Sequence, residues 1–165
     1  IYGGGRRDLN KRDKLHVPLG IELLFENKLL DKYKILLLLD SFAELGRTKY
    51  ILFLEIVYYY SVASLNSKIN PYIENKPQQD VSNLIMRFEK ELPGLLLDLY
   101  GADLIEVKKE KQFKRDKIRV KITMEGRKLV VNFDDAIKKE YTEIVLEESY
   151  TNSKLIELRK GERYV

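Results

Sequence analysis

Val120 to Val130 reads VKITMEGRKLV. Val120 and Ile122 alternate with Lys121, the period of two expected of a half-buried strand. Thr123 follows, with a hydroxyl suited to the free backbone N–H groups of a helix start. Gly126 punctuates, and Leu129 and Val130 begin a short apolar run. The stretch predicts a strand that runs straight into a capped helix. Upstream, Ile105 and Val107 alternate with Glu106 and Lys108, and Ile118 extends the second alternation backwards. Two period-two runs joined by KQFKRDK, Lys111 to Lys117, predict a β-hairpin.

Helical spacing dominates on either side of this hairpin. Ile35, Leu38, Leu39 and Phe42 occupy one face of a helix capped by Asp31 and running to about Leu45. Gly46 ends it. A second helix spans about Thr48 to Ala63, and a third about Asp80 to Leu92 with Leu84, Ile85 and Phe88 inward. Pro93 and Gly94 should interrupt the third, because Pro cannot make the interior hydrogen bond. A further turn or two then ends at Gly101, where Gly permits a left-handed stop. Behind the hairpin, Thr123 caps a helix to about Phe133. Asp135 starts another, with Ile137, Tyr141, Ile144 and Val145 on one face. Thr151, Asn152 and Ser153 should bend it, and Leu155 and Leu158 form a docking tail. Residues 16–30 read as a short strand or turn entering a helix, and 66–77 as a loop.

The expected class is therefore α+β, mostly α-helical. Three helices, a hairpin and a helix are the order of a winged-helix domain, with the hairpin as its wing. ITMEGRKLV resembles the "LT..GR.LV" phrase common in that fold. The expected organisation is a basic arm and lead-in over residues 1–30, a winged-helix-like domain over 31–133, and a C-terminal helix and tail over 134–165.

Composition narrows the function. The 165 residues hold 30 Lys+Arg and 26 Asp+Glu, for a net charge of +4. That length suits one domain with a sizeable core. No Cys is present, which removes disulfides and thiolate metal sites and fits a reducing compartment. No apolar run reaches the roughly 18 residues of a membrane span, and no secretory pattern stands at the start. A cytoplasmic protein is the expectation.

The mild basic surplus is not evenly spread. From Glu106 to Lys121 eight cations stand against three acids, a surplus larger than that of the whole chain. Lys111, Lys114, Arg115, Lys117, Arg119 and Lys121 are the candidates for phosphate contact. Arg87 and Lys90, near Asn83 on the third helix, are candidates for the same surface. The competing reading is a solvated hairpin whose charges protect an exposed edge. On the second helix Phe53, Ile56, Tyr59 and Tyr60 widen the apolar surface to two faces. Such a helix is either sandwiched in a core or offered to a protein partner. Those four, with Ile144, Leu155 and Leu158, are the candidate partner-binding residues.

Nothing points to catalysis. His16 is the sole His and has no hydroxyl or acid at a motif spacing. No Cys–His, Ser–His–Asp or HExxH arrangement exists, and GGGRR lacks the grammar of a phosphate loop. No cofactor, metal or small-molecule substrate is expected.

KILLLLDSF, YILFLEIVYYYSVAS, NPY, LLLDLYGADLIEV and ITMEGRKLV follow one another over about Tyr33 to Tyr150. In that order they resemble the middle component of bacterial ABC-three-component systems, which include Lamassu-type antiphage defence. The departures are Ala102–Asp103, where a plainer Gly-Leu-Ile is usual, and the basic arm GGGRRDLNKRD. The resemblance implies a non-catalytic adaptor that sits between an SMC/Rad50-like ATPase subunit and an effector, often a nuclease, and restrains the effector until DNA is sensed. The alternative is a dimeric winged-helix transcription regulator.

Overall fold

The computed structural model describes residues 19–47, 49–66, 69, 78–109 and 114–161. His16, Lys111, the basic arm and most of the loop from Ser67 to Pro77 lie outside them. The chain divides into two compact units, Ile1–Asp31 and Lys32–Val165. Of the first, only the helical residues 19–31 are described.

Helix α1 spans Leu19–Glu44. It begins twelve residues before the expected Asp31 cap, and Gly20 lies within it. One Gly costs a helix about 1 kcal/mol, and the strong helix formers Leu, Glu and Lys that follow it carry the helix through. Its end is as expected. Gly46 has φ +81°, Arg47 N–H donates to Phe42 O at 2.9 Å, and Gly46 N–H donates to Ala43 O at 3.1 Å. This pair of bonds is the Schellman stop that a left-handed residue permits.

The second helix starts later than its apolar spacing predicts. Ile51–Leu52 form strand β1, and helix α2 spans Phe53–Ser64. The Glu55 carboxylate accepts the Leu52 N–H at 3.2 Å and so caps α2 from within its first turn. The period of the side chains could not reveal β1, because the partner of Ile51 is Val120, 69 positions away.

Helix α3 spans Gln78–Gly101 without interruption, through Pro93. A Pro in a helix interior costs about 3 kcal/mol. Leu95, Leu96 and Leu99, all buried beyond it, each contribute about 1.5–3 kcal/mol. Packing wins, and the two predicted segments are one rod. The left-handed residue after α3 is Asp103, at φ +61°, rather than Gly101. Leu104 N–H donates to Leu99 O and Asp103 N–H to Tyr100 O, both at 3.0 Å. The same stop as after α1 is thus made by an Asp, one of the few residues other than Gly that tolerate it.

The hairpin is β2, Ile105–Lys108, and β3, Arg119–Ile122. The sheet is antiparallel with order β1-β3-β2, and Val107 faces Val120 while Lys108 faces Arg119. Arg115–Lys117 form one turn of 3-10 helix before β3. Helices α4, Met124–Val130, α5, Asp135–Glu147, and α6, Asn152–Arg159, complete the described chain. Asp134 and Thr151 cap α5 and α6 with their side chains. The observed class is α+β, mostly helical, with one small antiparallel sheet.

VKITMEGRKLV forms a joint held by Thr123, Gly126 and Arg127. The Thr123 hydroxyl accepts from Gly126 N–H at 3.0 Å and donates to Asp103 O at 2.8 Å. Gly126 lies so close to the chain before β2 that an added Cβ would meet Leu104 O at 2.4 Å. Arg127 reaches α1, donating to Asp40 at 2.9 Å and Glu44 at 2.8 Å.

The core gathers around α2. Tyr58 is fully buried and donates to the Glu148 carboxylate at 2.5 Å, while Tyr59 donates to Glu148 O at 3.1 Å. The ring of Tyr59 meets Phe42 edge-on at 5.1 Å. Tyr141, Ile144, Val145, Leu155 and Leu158 bring α5 and α6 into this same core. Ile137, expected inward on α5, is exposed. No helix among the described residues is long and apolar enough to cross a membrane.

Candidate functional site on the wing and helix α3

Alternation in β2 and β3 sorts the hairpin into two faces. Ile105, Val107, Val120 and Ile122 lie on the inner face, and Glu106, Lys108, Arg119 and Lys121 on the outer. Tyr50, just ahead of β1, closes the outer face. Its hydroxyl donates to Glu106 at 3.0 Å and its ring lies 5.7 Å beneath the Lys108 ammonium. The Glu106 carboxylate, by accepting that bond, holds the Tyr50 phenol above its ordinary value, with burial and charge adding to the effect.

Three arginines in the body of the unit are engaged by carboxylates. Arg47 pairs with Glu55, Arg127 with Asp40 and Glu44, and Arg159 with Glu89. The wing differs. Among the described residues Lys108, Lys114, Lys117, Arg119 and Lys121 have no carboxylate partner. Arg87 and Lys90 on α3 are exposed and equally unpaired.

Arg115 departs from the expected set. Its guanidinium donates to Glu89 at 2.8 Å and to Asp116 at 3.0 Å and lies 5.0 Å over the Phe53 ring. Glu89 is itself nearly buried and is gripped from the other side by Arg159. Arg115 therefore fastens the 3-10 turn to α2 and α3, and its charge is not offered outward. This clamp leaves no local pattern in the sequence, because its two arginines lie 26 and 70 positions from Glu89.

The candidate partner-binding residues are all interior. Phe53, Ile56, Tyr59, Tyr60, Ile144, Leu155 and Leu158 are each less than a tenth exposed and belong to the core. The apolar excess of α2 is consumed by α3 on one side and by α5 and α6 on the other. Of the two readings of that helix, the sandwiched one describes these seven side chains.

Exposed apolar surface appears instead where it was not expected. On α3 the exposed stripe passes from Asn83, Arg87 and Lys90 to Gly94 and Leu97, with Leu97 68 % and Tyr100 52 % exposed. Pro93, Gly94, Leu96, Leu97 and Tyr100 line one wall of an open groove of about 460 Å³, and Val107, Lys109 and Ile118 of the wing line the other. The signal was available in LPGLLLDLY, where five Leu and a Tyr in nine residues exceed what one helix face can bury. A second hollow of about 270 Å³ beside α4 contains Arg47, Lys49, Lys121 and Arg127. The carboxylates of Glu55, Asp40 and Glu44 already engage both arginines.

No family model, curated protein or solved structure matches the chain.

Proposed function

We propose that the chain is a winged-helix adaptor without a catalytic site of its own, a subunit of an antiphage defence complex of the ABC-three-component kind. In this reading it bridges an SMC/Rad50-like ATPase and an effector nuclease, restrains the effector, and rests its wing on DNA in the cytoplasm. The element order α1-β1-α2-α3-β2-β3, with the short first strand paired to the last, supports the winged-helix assignment. The observation that carries the function is the outer face of the wing, where Lys108, Arg119 and Lys121 stand side by side with no carboxylate partner among the described residues. Cations so placed meet phosphates at little desolvation cost, and they read no bases. An adaptor that senses DNA requires this kind of contact.

The test is binding of a labelled duplex of arbitrary sequence over a salt series. Affinity should fall steeply with salt, and each reversal to Glu among Lys108, Arg119 and Lys121 should reduce the salt slope by about one. An absence of salt-dependent binding removes the DNA contact. Co-expression with the neighbouring genes of its own operon tests the adaptor role, which fails if the chain then elutes alone.

Asn83, Arg87 and Lys90, exposed together on α3, favour a second reading as a dimeric transcription regulator. That reading requires sequence-selective binding that Asn83→Ala and Arg87→Ala abolish.

A further inference from the structure

We infer that the groove between the C-terminal half of α3 and the inner face of the wing docks an acidic amphipathic peptide segment of a protein partner. The inference deepens the adaptor reading and takes from it only the expectation that a protein partner exists. Three observations support it. The first is the apolar character of the groove at exposed positions. Leu97 and Tyr100 present more than half of their surface, and Pro93, Val107 and Ile118 continue the lining. A patch of this kind, rimmed by charge, is the usual mark of a protein contact rather than of solvated surface.

The second is the sign of the rim. Lys90 stands one helical turn ahead of Pro93 and Gly94, Lys117 is the chain neighbour of Ile118, and both are exposed with no carboxylate partner among the described residues. Among the described residues no acid lines the groove. Glu91 and Asp98 lie on the far side of the exposed stripe of α3, and Asp98 is engaged by Lys32 at 3.0 Å. Complementarity therefore calls for acidic flanks around apolar anchors.

The third is what the same features exclude. A second copy of this chain would bring like cations together at the rim, which works against self-association. Nucleic acid would place phosphates over Leu97 and Tyr100 and gain nothing from them. The outer face of the wing is the better phosphate surface, and it lies on the opposite side of the hairpin from Val107 and Ile118.

A displayed library of random peptides of about four helical turns, selected against the full chain, tests the inference directly. Enriched sequences should carry net negative charge around paired apolar residues. Leu97→Ser and Tyr100→Ser, both at exposed positions that the fold does not need, should each weaken the selected peptides about tenfold or more. Lys90→Glu should weaken them in a salt-dependent manner. Amide shifts induced by one selected peptide should map to Leu97, Tyr100, Val107 and Ile118, while a duplex DNA should shift Lys108, Arg119 and Lys121. The inference is overturned if no acidic sequences are enriched, if Leu97→Ser leaves binding unchanged, if DNA shifts the groove amides, or if the wild-type chain self-associates and Leu97→Ser prevents it. Loss of the DNA shifts alone would count against the wing contact and leave the groove standing, so the two failures are separable.

Discussion

Arg159 holds both carboxylate oxygens of Glu89, with Nε 3.0 Å from Oε1 and Nη2 2.7 Å from Oε2. This two-pronged contact ties the last described helix to the middle of α3. Ser82 of α3 reinforces it by donating to the Arg159 carbonyl. Because Arg115 shares the same carboxylate, one acid joins α3, α6 and the turn that supports the wing.

Removing that acid should cost more than removing either base. Glu89→Ala leaves two guanidinium groups facing each other with no counter-charge. A fully buried pair broken this way costs about 3–5 kcal/mol, and the partial exposure of both arginines reduces this to about 2–3 kcal/mol. Thermal unfolding should shift down by about 5–10 °C. Arg159→Lys, which keeps the charge but loses the fork, should fall between wild type and Glu89→Ala. Equal stability of Glu89→Ala and wild type would mean that the clamp does not form in solution.

Gly126→Ala should destabilise the protein severely. The new methyl would stand 2.4 Å from Leu104 O and 2.7 Å from Ile122 Cγ1, both in the strand–helix joint. Crowding of this kind typically costs about 1–3 kcal/mol, and backbone on one side leaves little room for relief. Urea unfolding should show a lower midpoint, whereas Gly94→Ala, with open space around it, should unfold at the wild-type midpoint or above it.

Stability should decline at alkaline pH. Burial holds the Tyr59 phenol above its ordinary 10.0, opposed in part by a backbone N–H from Tyr150, and burial likewise raises Tyr150. The folded state thus keeps protons that the unfolded state releases from about pH 10 upward. The contribution is intact below that pH and is lost as pH climbs through the raised folded values. Melts at stepped pH should steepen downward above pH 10, and Tyr59→Phe should flatten part of that slope. An unchanged slope in the variant would assign the loss to other groups.

Ser61→Ala should stabilise the chain by about 1 kcal/mol. The Ser61 hydroxyl is buried in α2 and has no hydrogen-bond partner among the described residues. The substitution removes an unpaired polar group and improves helix propensity. A lower midpoint on chemical unfolding would show that the hydroxyl is satisfied.

Features with a local cause are legible in the order of the residues. The two strands of the hairpin follow from alternation that repeats every second residue. The cap at Thr123, the helix start at Asp135 and the stop at Gly46 follow from groups that act within one turn. The basic surplus of the wing is likewise a matter of counting.

The remaining features each depend on groups far apart in the chain, which no local pattern records. Helix α3 passes Pro93 because the leucines beyond it share a buried face with those before it. Strand β1 exists because β3 supplies its hydrogen bonds from the other end of the domain. Phe53 and Leu155, similar in sequence to any exposed apolar candidate, are interior because α5 and α6 fold back over α2. The apolar surface left to Leu97 and Tyr100 is what remains after that packing is complete. Arg115 and Arg119 are both basic hairpin residues, yet one secures the wing to Glu89 and the other faces outward. Charge and hydropathy along a chain state what must be buried or neutralised, and three-dimensional packing selects the partner that does it.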